Sequence, residues 1–215
     1  MFLALIVALL FIGFIASQRI QTSPQKQSLT PETPTYPLVF FGKKGKIKQA
    51  IKSYNDNKGR SEAFFYKYLQ KYFPKQVYTD LALPIGKTYY YPDFTLISQR
   101  HQLYVDIEID EPYNFKGYPT HSKGSDDKRN DYFVQCGWVV IRFAEEQIAR
   151  QPLQCCKFIA QTLSRISEDK SFLKEDLERI PDLSLRTKVW DSHKARQMAL
   201  NKSRDYYANV FRDEN

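Results

Sequence analysis

The sequence predicts an α/β domain built on a mixed central sheet with helices on its faces. Four runs have the length and apolar pattern of β-strands, and they lie at 76–83, 88–97, 103–110 and 138–143. Three segments have the period of amphipathic helices, and they lie at 61–73, 125–136 and 152–166. The resulting order, α-β-β-β-α-β-α, favours one sheet with the run 103–110 in its middle.

The boundaries of the first elements follow from capping and turn residues. The first helix is predicted to begin at Ser61, a good N-cap residue, and to end before Pro74. Pro84 and Gly86 separate the first two strands, and residues 98–101 form the turn between the second and third. The second and third strands should therefore form an antiparallel hairpin.

The second half of the domain has equally clear signals. Gly137 suits the left-handed residue that ends the second helix. It leads into WVVIRF at 138–143, a nearly continuous apolar run that is typical of a buried strand. With the helix over 152–166, the domain is predicted to extend over residues 59–167.

Residues 168–215 are predicted to form a helical basic tail, with a helix beginning at about Asp191. Basic side chains alternate there with aromatic ones, a combination that suits contact with nucleic acid. The alternative is an amphipathic helix that docks on the domain and leaves its basic side in solvent. In that case the residues expected to pack are Ala199, Tyr206 and Val210.

The N-terminal end is predicted to be a membrane anchor over residues 1–18. The run MFLALIVALLFIGFIAS is apolar, and the first charged side chain is Arg19. At 1.5 Å per residue, such a helix just spans the hydrocarbon core of a bilayer. A cleaved signal peptide is the alternative, but no Lys or Arg precedes the apolar run. Because the positive charges follow the span, the sequence predicts a single-pass membrane protein with its domain in the cytoplasm.

Residues 19–58 are predicted to be a linker with a basic juxtamembrane segment. The first part, 17–37, is rich in Ser, Thr, Gln and Pro and has little to bury. The second part, 39–57, is basic and is predicted to form a short helix near the membrane surface.

Charge and cysteine content narrow the classes of partner and compartment. The 215-residue chain has 32 Lys and Arg against 24 Asp and Glu, a net charge of +8. This balance indicates a polyanionic partner, either nucleic acid or acidic lipid, unless the basic surface serves solubility alone. Cys136, Cys155 and Cys156 lack metal-ligand spacing and form no disulfide framework, which fits a reducing compartment.

The acids of the run 103–110 are the main functional signal. Asp106, Glu108 and Asp110 alternate with apolar residues, so a strand would place all three on one face. Like charges so close raise one another's pKa and cost stability. Asp93, which follows Pro92, would lie opposite the end of this strand in the hairpin. A bound divalent cation such as Mg²⁺ would relieve the repulsion, whereas a solvated strand face is the alternative.

Five motifs in order resemble the PD-(D/E)xK restriction-endonuclease-like superfamily, and most closely its very-short-patch-repair-like endonuclease branch. The segments that carry the resemblance cover about residues 60–150 and are 92-PDF-94, 107-IEID-110, His121, 126-DDKRNDYF-133 and 137-GWVVIRF-143. The core of that superfamily has the order αβββαβ, which the periodicity of the sequence also predicts. The resemblance therefore implies a restriction-endonuclease-like core.

The resemblance also implies a set of metal ligands and catalytic acids. Asp93 and Glu108 would bind the metal, together with the backbone carbonyl of Ile109. Asp110 replaces the lysine of the motif and would help to position the attacking water. Glu62 matches an acid of the first helix, although an acid there also suits the helix dipole.

Three basic residues complete the implied site. His121 would act as a general acid–base group or as a phosphate donor. Arg129 and Arg142 would contact phosphate or brace the carboxylates, and bracing is favoured for Arg129. The chain departs from the pattern at Asp110, where the motif has lysine, and at Glu111, where it often has glycine.

The function implied by the resemblance is a membrane-tethered endonuclease that depends on Mg²⁺ or Mn²⁺ and hydrolyses DNA. RNA is an alternative substrate, and a homodimer would be needed if both strands are cut. One alternative function is a non-catalytic nuclease-fold module that binds nucleic acid or a protein at the membrane. The other is a scaffold whose basic segments bind anionic lipid.

Overall fold

The computed structural model describes residues 33–53 and 59–212, which belong to one compact unit that begins at Thr33. The predicted anchor over 1–18 lies outside these residues. Within the described part of the chain, no helix is long and apolar enough to cross a membrane. Residues 33–53, which the sequence assigns to a linker, belong to the compact unit.

The prediction of a mixed α/β fold with a mixed central sheet is confirmed. Eight strands are present in the described residues: β1 (Leu38–Phe40), β2 (Ile51–Lys52), β3 (Val77–Tyr78), β4 (Leu81–Ile85), β5 (Thr88–Tyr90), β6 (Phe94–Ser98), β7 (Leu103–Asp110) and β8 (Val139–Ala144). Five of them form the central sheet in the order β1-β8-β7-β6-β3. The β7–β8 pair is parallel and the other pairs are antiparallel. The acid-bearing strand is therefore the middle strand.

Two of the predicted strands are each divided into two, because both contain residues that suit a sheet poorly. The run 76–83 becomes β3 and β4, separated at Thr79 and Asp80. The run 88–97 becomes β5 and β6, separated around Pro92, which has no N–H to donate to a ladder. The freed piece β4 pairs with β2 on one side and with β5 on the other, in a small antiparallel sheet.

The helices cover both faces of the central sheet. They are α1 (Arg60–Tyr72), α2 (Asp127–Gln135), α3 (Glu145–Arg150), α4 (Pro152–Ser167), α5 (Glu175–Glu178) and α6 (Ser192–Leu200), with short 3₁₀ turns in the tail. Side chains of α1 and α4 join Val105, Ile107 and Ile109 of β7 in the main core. The other face of β7, which carries the acids, lies under α2, where Arg129 contacts Glu108 of β7 and Asn130 contacts Arg142 of β8.

The start of α1 differs from its prediction. The helix begins at Arg60, so Gly59 and not Ser61 is the N-cap residue. The carboxylate of Glu62 accepts a hydrogen bond from the Gly59 N–H. Glu62 thus satisfies one of the backbone donors that a helix leaves free at its first turn.

The helix predicted over 39–57 is not formed in the described residues 39–53. This segment instead begins in β1 and then follows the α2–β8 turn, where the N–H groups of Lys43 and Lys48 donate to Val134 and Cys136. Two glycines in the segment oppose a helix. Gly42 is required by packing, because an added Cβ would lie 2.5 Å from the Gly137 carbonyl carbon.

The tail docks on the domain, but through other residues than those predicted. Asp191 caps α6 by accepting the Lys194 N–H. The buried residues of the described tail are Phe172, Leu177, Leu183, Val189, Trp190, Ala195 and Tyr207. Tyr206 is 77 % exposed, so its predicted packing role is wrong. After α6 the backbone turns through a left-handed residue, Lys202, into 3₁₀ geometry, and the helical periodicity no longer applies.

We expect Gly42→Ala to destabilise the protein by about 3 kcal/mol, because two backbones in contact cannot separate by a change of rotamer. Gly86→Ala is the control, since its left-handed backbone is strained by a side chain but the space around it is open. That control should lose about 1 kcal/mol. Urea unfolding measures both values. Equal losses would show that residues 41–48 do not pack against the α2–β8 turn.

Candidate functional site

The acids of β7 are buried. Asp106, Glu108 and Asp110 each have at most 2 % of their surface exposed. The alternative of a solvated strand face is therefore wrong, because α2 covers this side of the sheet. Burial of several carboxylates requires compensating charge or protonation.

Arg142 of β8 supplies the first compensating charge. It is the register partner of Glu108 in the parallel ladder, and its guanidinium is 1 % exposed. Nε and Nη2 donate to the two oxygens of Asp110 at 2.9 and 2.6 Å, and Nη1 donates to Asn130 at 3.1 Å. The Tyr36 hydroxyl also donates to Asp110, at 2.8 Å. Asp110 is thus a fully engaged carboxylate with no free oxygen directed at solvent.

Arg129 of α2 supplies the second charge, to Glu108. Its Nη2 donates to Glu108 Oε1 at 2.5 Å and to the Tyr91 carbonyl at 2.8 Å. Burial by itself would raise the pKa of Glu108, but Arg129 and then Arg142 outweigh it and lower that pKa. Glu108 is therefore ionised at neutral pH.

Asp106 is fully buried, with Arg129 Nη2 3.9 Å from its Oδ1. Burial, followed by the charge of Glu108, raises the pKa of Asp106 well above its usual range. Among the described residues, no hydrogen-bond partner lies within reach of either of its oxygens. Asp106 is therefore the least compensated acid of the row.

Asp93 converges on Glu108 from the neighbouring strand. Asp93 directly precedes β6, and its N–H donates to Glu108 Oε1 at 3.2 Å. Its own carboxylate accepts the Ile109 N–H at 2.7 Å. Burial, followed by the charges of Glu108 and Glu62, raises the pKa of Asp93 well above its usual range. The structure therefore brings Asp93 and Glu108 together, with Glu62 close enough for its charge to be felt.

His121 lies at the edge of the network, where its ring faces three carboxylates and its Nδ1 is 3.1 Å from Arg142 Nη2. Its Nδ1 is 3.2 Å from Asp126 Oδ2 and 3.4 Å from Asp110 Oδ1, and its Nε2 is 3.7 Å from Glu111 Oε2. Burial would lower the pKa of His121, but the hydrogen bond to Asp126 and the charges of Asp110 and Glu111 raise it to about 9. The imidazolium can donate a hydrogen bond or a proton, but at neutral pH it is not a free base.

An open cavity of about 500 Å³ lies beside the network, between the start of α1, the loop 111–121 and the tail. Glu62 and Glu111 line it, but Asp93 and Glu108 do not. The cationic residues of its lining are Arg60, Arg204 and Arg212. Phe115 of the loop lies at its rim and is 90 % exposed. The loop that follows the acid strand thus borders this cavity.

The sequence did not identify three members of the network. Asn130 and Asp126 both contact Arg142, Asp126 through Oδ2 at 3.4 Å from Nη2. In the sequence, Asn130 lies beside Arg129 and Asp126 lies one helical turn before it. These positions are the signal that was available. Tyr36 had no signal, because a segment rich in Ser, Thr and Pro shows no periodicity that marks a buried residue.

In the described residues, arginine side chains bind the acids of this network, and no recognisable set of metal ligands is present. Among the described residues, no group of three or more His, Cys, Asp or Glu side chains is arranged to hold a metal ion. The convergence of Asp93 and Glu108 is a pair of carboxylates only.

Comparisons with known proteins give no match. No family model, no curated protein and no solved structure is similar to this chain.

We expect Arg142→Met to destabilise the protein by about 3–5 kcal/mol, because it leaves Asp110 buried without its cation. Adding Asp110→Asn should recover part of this loss. The matched control is Arg179→Met, which breaks an exposed pair with Glu175 and should cost under about 0.5 kcal/mol. Chemical denaturation measures all three variants. A loss for Arg142→Met no larger than that of the control would contradict the network.

We expect His121→Asn to lower stability most below pH 6.5. The pKa of His121 in the folded protein is raised to about 9 from its ordinary value of 6.5. The charged ring therefore contributes fully below pH 6.5, by roughly 2–3 kcal/mol, and this contribution disappears as the pH rises through 9. Unfolding at several pH values measures it. His193→Asn, at an exposed site on α6, is the control and should show no such trend.

Proposed function

We propose that this domain is a metal-dependent nuclease of the PD-(D/E)xK restriction-endonuclease-like superfamily, in its very-short-patch-repair-like branch. The observation that carries the proposal is the convergence of Asp93 and Glu108. Asp93 directly precedes β6, whereas Glu108 lies on β7. The Asp93 N–H donates to the Glu108 carboxylate, and the Asp93 carboxylate accepts the Ile109 N–H. Two carboxylates at one point of a sheet, close to a third on a helix, suit the hydrolysis of a phosphodiester.

The order of the elements supports the same assignment. After α1, the strands β3, β6 and β7 pair in sequence as an antiparallel meander. The chain then passes through α2 and returns in β8, parallel to β7. This arrangement has the αβββαβ order, with the Pro-Asp at the start of β6 and the Glu-x-Asp at the end of β7.

Asp93 and Glu108 fit a hard divalent cation, Mg²⁺ or Mn²⁺. Such ions take one or two carboxylates and keep several waters. Burial, and then the charges of Glu108 and Glu62, raise the pKa of Asp93. A bound cation would relieve the repulsion among these carboxylates. These two side chains would hold the ion with the Ile109 carbonyl, and the ion would polarise a phosphodiester and lower the pKa of its bound water.

The protein's own cations have distinct roles in this proposal. Arg129 and Arg142 hold Glu108 and Asp110 in fixed positions, so that neither carboxylate has to be oriented during the reaction. His121, protonated at neutral pH, can donate to a phosphate oxygen or to a leaving group. Arg60 and Arg212 line the adjacent cavity, where they would contact the phosphates of a DNA backbone.

The proposal extends to the setting of the domain. Residues 1–18 would tether it to a membrane, with the nuclease on the cytoplasmic side. DNA is the expected substrate, with RNA as the alternative. A homodimer would be required if both strands are cut.

A second candidate function is a non-catalytic module that binds nucleic acid or a protein partner. One observation favours it specifically. Arg129 and Arg142 already neutralise Glu108 and Asp110, so the acid row can be buried without a metal ion. The two functions differ in whether a divalent cation binds at Asp93 and Glu108.

We expect the full chain, purified in a mild non-ionic detergent, to cut supercoiled plasmid in the presence of Mg²⁺ or Mn²⁺. Asp93→Asn and Glu108→Gln should each reduce the rate on the order of 100-fold or more, since each removes a charged ligand. Glu175→Gln, which removes an exposed acid of α5, should cut at the parental rate. Single-stranded DNA and RNA complete the substrate set.

Calorimetric titration with Mn²⁺ separates the two candidate functions without relying on cleavage. A nuclease should bind Mn²⁺ in the parent and in Glu175→Gln, and lose that binding in Asp93→Asn and Glu108→Gln. A folded parent that binds DNA but neither binds Mn²⁺ nor cuts any of the substrates would establish the non-catalytic module.

A further inference from the structure

A second cavity, of about 450 Å³, lies where the described chain begins. Thr33 is in its lining, together with residues that precede and form α6. The segment around Thr35 is held there by antiparallel contacts, because Tyr36 N–H donates to Thr187 and Val189 N–H donates to Pro34. None of the residues proposed for the nuclease site lines this cavity.

The rim of the cavity is strongly cationic. Lys123 reaches it from one segment of the chain, Lys188 and Lys194 from another, and each is exposed. Asp191 is the one carboxylate among the lining residues, and its Oδ1 is already used to accept the Lys194 N–H. The Thr187 hydroxyl oxygen is buried and has no hydrogen-bond partner among the described residues. Donors thus exceed acceptors, which favours an anionic ligand with several oxygens.

The floor of the cavity is apolar. Trp190 is 3 % exposed, and Val189 and Met198 lie beside it. The indole N–H donates to the Thr120 carbonyl at 2.9 Å and is therefore not available to a ligand. A cationic rim above an apolar floor matches a phosphoryl group joined to an apolar group.

We propose that this cavity binds the headgroup of an anionic phospholipid. The lysines would pair with the phosphate, while the first acyl carbons or the glycerol backbone would lie against Val189 and Met198. Each lysine near an anionic bilayer surface contributes appreciably to binding, and the effect adds over a cluster. Thr33 is separated by 15 residues from the apolar run 1–17, and the lipid assignment rests on the proposal that this run is a membrane anchor.

The same cavity suits nucleic acid less well. Single strands bind basic grooves by stacking bases on accessible aromatic rings. The one aromatic ring of the lining, Trp190, is buried and packs against Tyr36 with 5.2 Å between ring centroids. The floor therefore offers no ring face on which a base could stack.

Native mass spectrometry of the full chain in a non-ionic detergent tests the proposal. The chain is titrated with phosphatidylglycerol, and the bound lipid molecules are counted against phosphatidylcholine. We expect at least one phosphatidylglycerol to bind tightly in the parent. The double variant Lys123→Gln/Lys194→Gln should weaken that binding roughly tenfold or more.

The matched control is Lys75→Gln/Lys174→Gln, which removes the same charge from the lining of a different cavity. It should bind phosphatidylglycerol as the parent does. An equal loss in both double variants would overturn the proposal, since it would show attraction to net charge alone. Inorganic phosphate that displaces the lipid at equal concentration would overturn the lipid assignment. Tighter binding of a short oligonucleotide to the same lysines would do so in favour of nucleic acid.

Discussion

The bidentate pair between Arg142 and Asp110 is the interaction on which the rest of this structure depends. A strand with three acids on one face cannot be covered by a helix unless their charge is balanced. Arg142 balances Asp110, Arg129 balances Glu108, and burial raises the pKa of Asp106 well above its usual range, which favours its neutral form. His121 and Asp126 add one charge of each sign at the edge. The buried cluster is close to neutral as a whole, which is why it can lie at the centre of the sheet.

This balance also selects the register of the sheet. Arg142 and Glu108 are direct partners in the parallel ladder of β7 and β8. A shift of one residue would turn Arg142 toward the apolar core and leave Asp110 buried without a cation. Buried ion pairs contribute little net stability compared with apolar residues, but they discriminate strongly against alternatives that leave a charge unpaired. Arg142 therefore makes the observed register of β7 and β8 much more favourable than registers shifted by one residue.

The parts that could be predicted from sequence are those with a strong local period. Such a period is present in the acid row, in the hairpin strand that follows Asp93, in the helix that ends before Gly137 and in the buried strand after it. The edge strand β1 and the burial of Tyr36 could not be predicted, because they arise from contacts with residues about 100 and 74 positions away. The tail shows the same limit, since its helix was predicted but its packing depends on where the helix ends. Among the site residues, type and order were visible, whereas the arginine partner of each acid required the fold.

The parallel pairing of β7 and β8 has a consequence for how the chain folds. Asp110 and Arg142 are 32 residues apart, and Tyr36 reaches the same carboxylate from 74 residues away. The hairpin of β6 and β7 is local, so it can form while its acids are still hydrated and uncompensated. Arg129 and Arg142 reach the acids only when α2 and β8 have packed against β7. That step costs the conformational entropy of closing the connection between β7 and β8. The acid strand is thus among the first elements to form and among the last to become buried. During synthesis it remains an exposed anionic edge until the residues of β8 leave the ribosome.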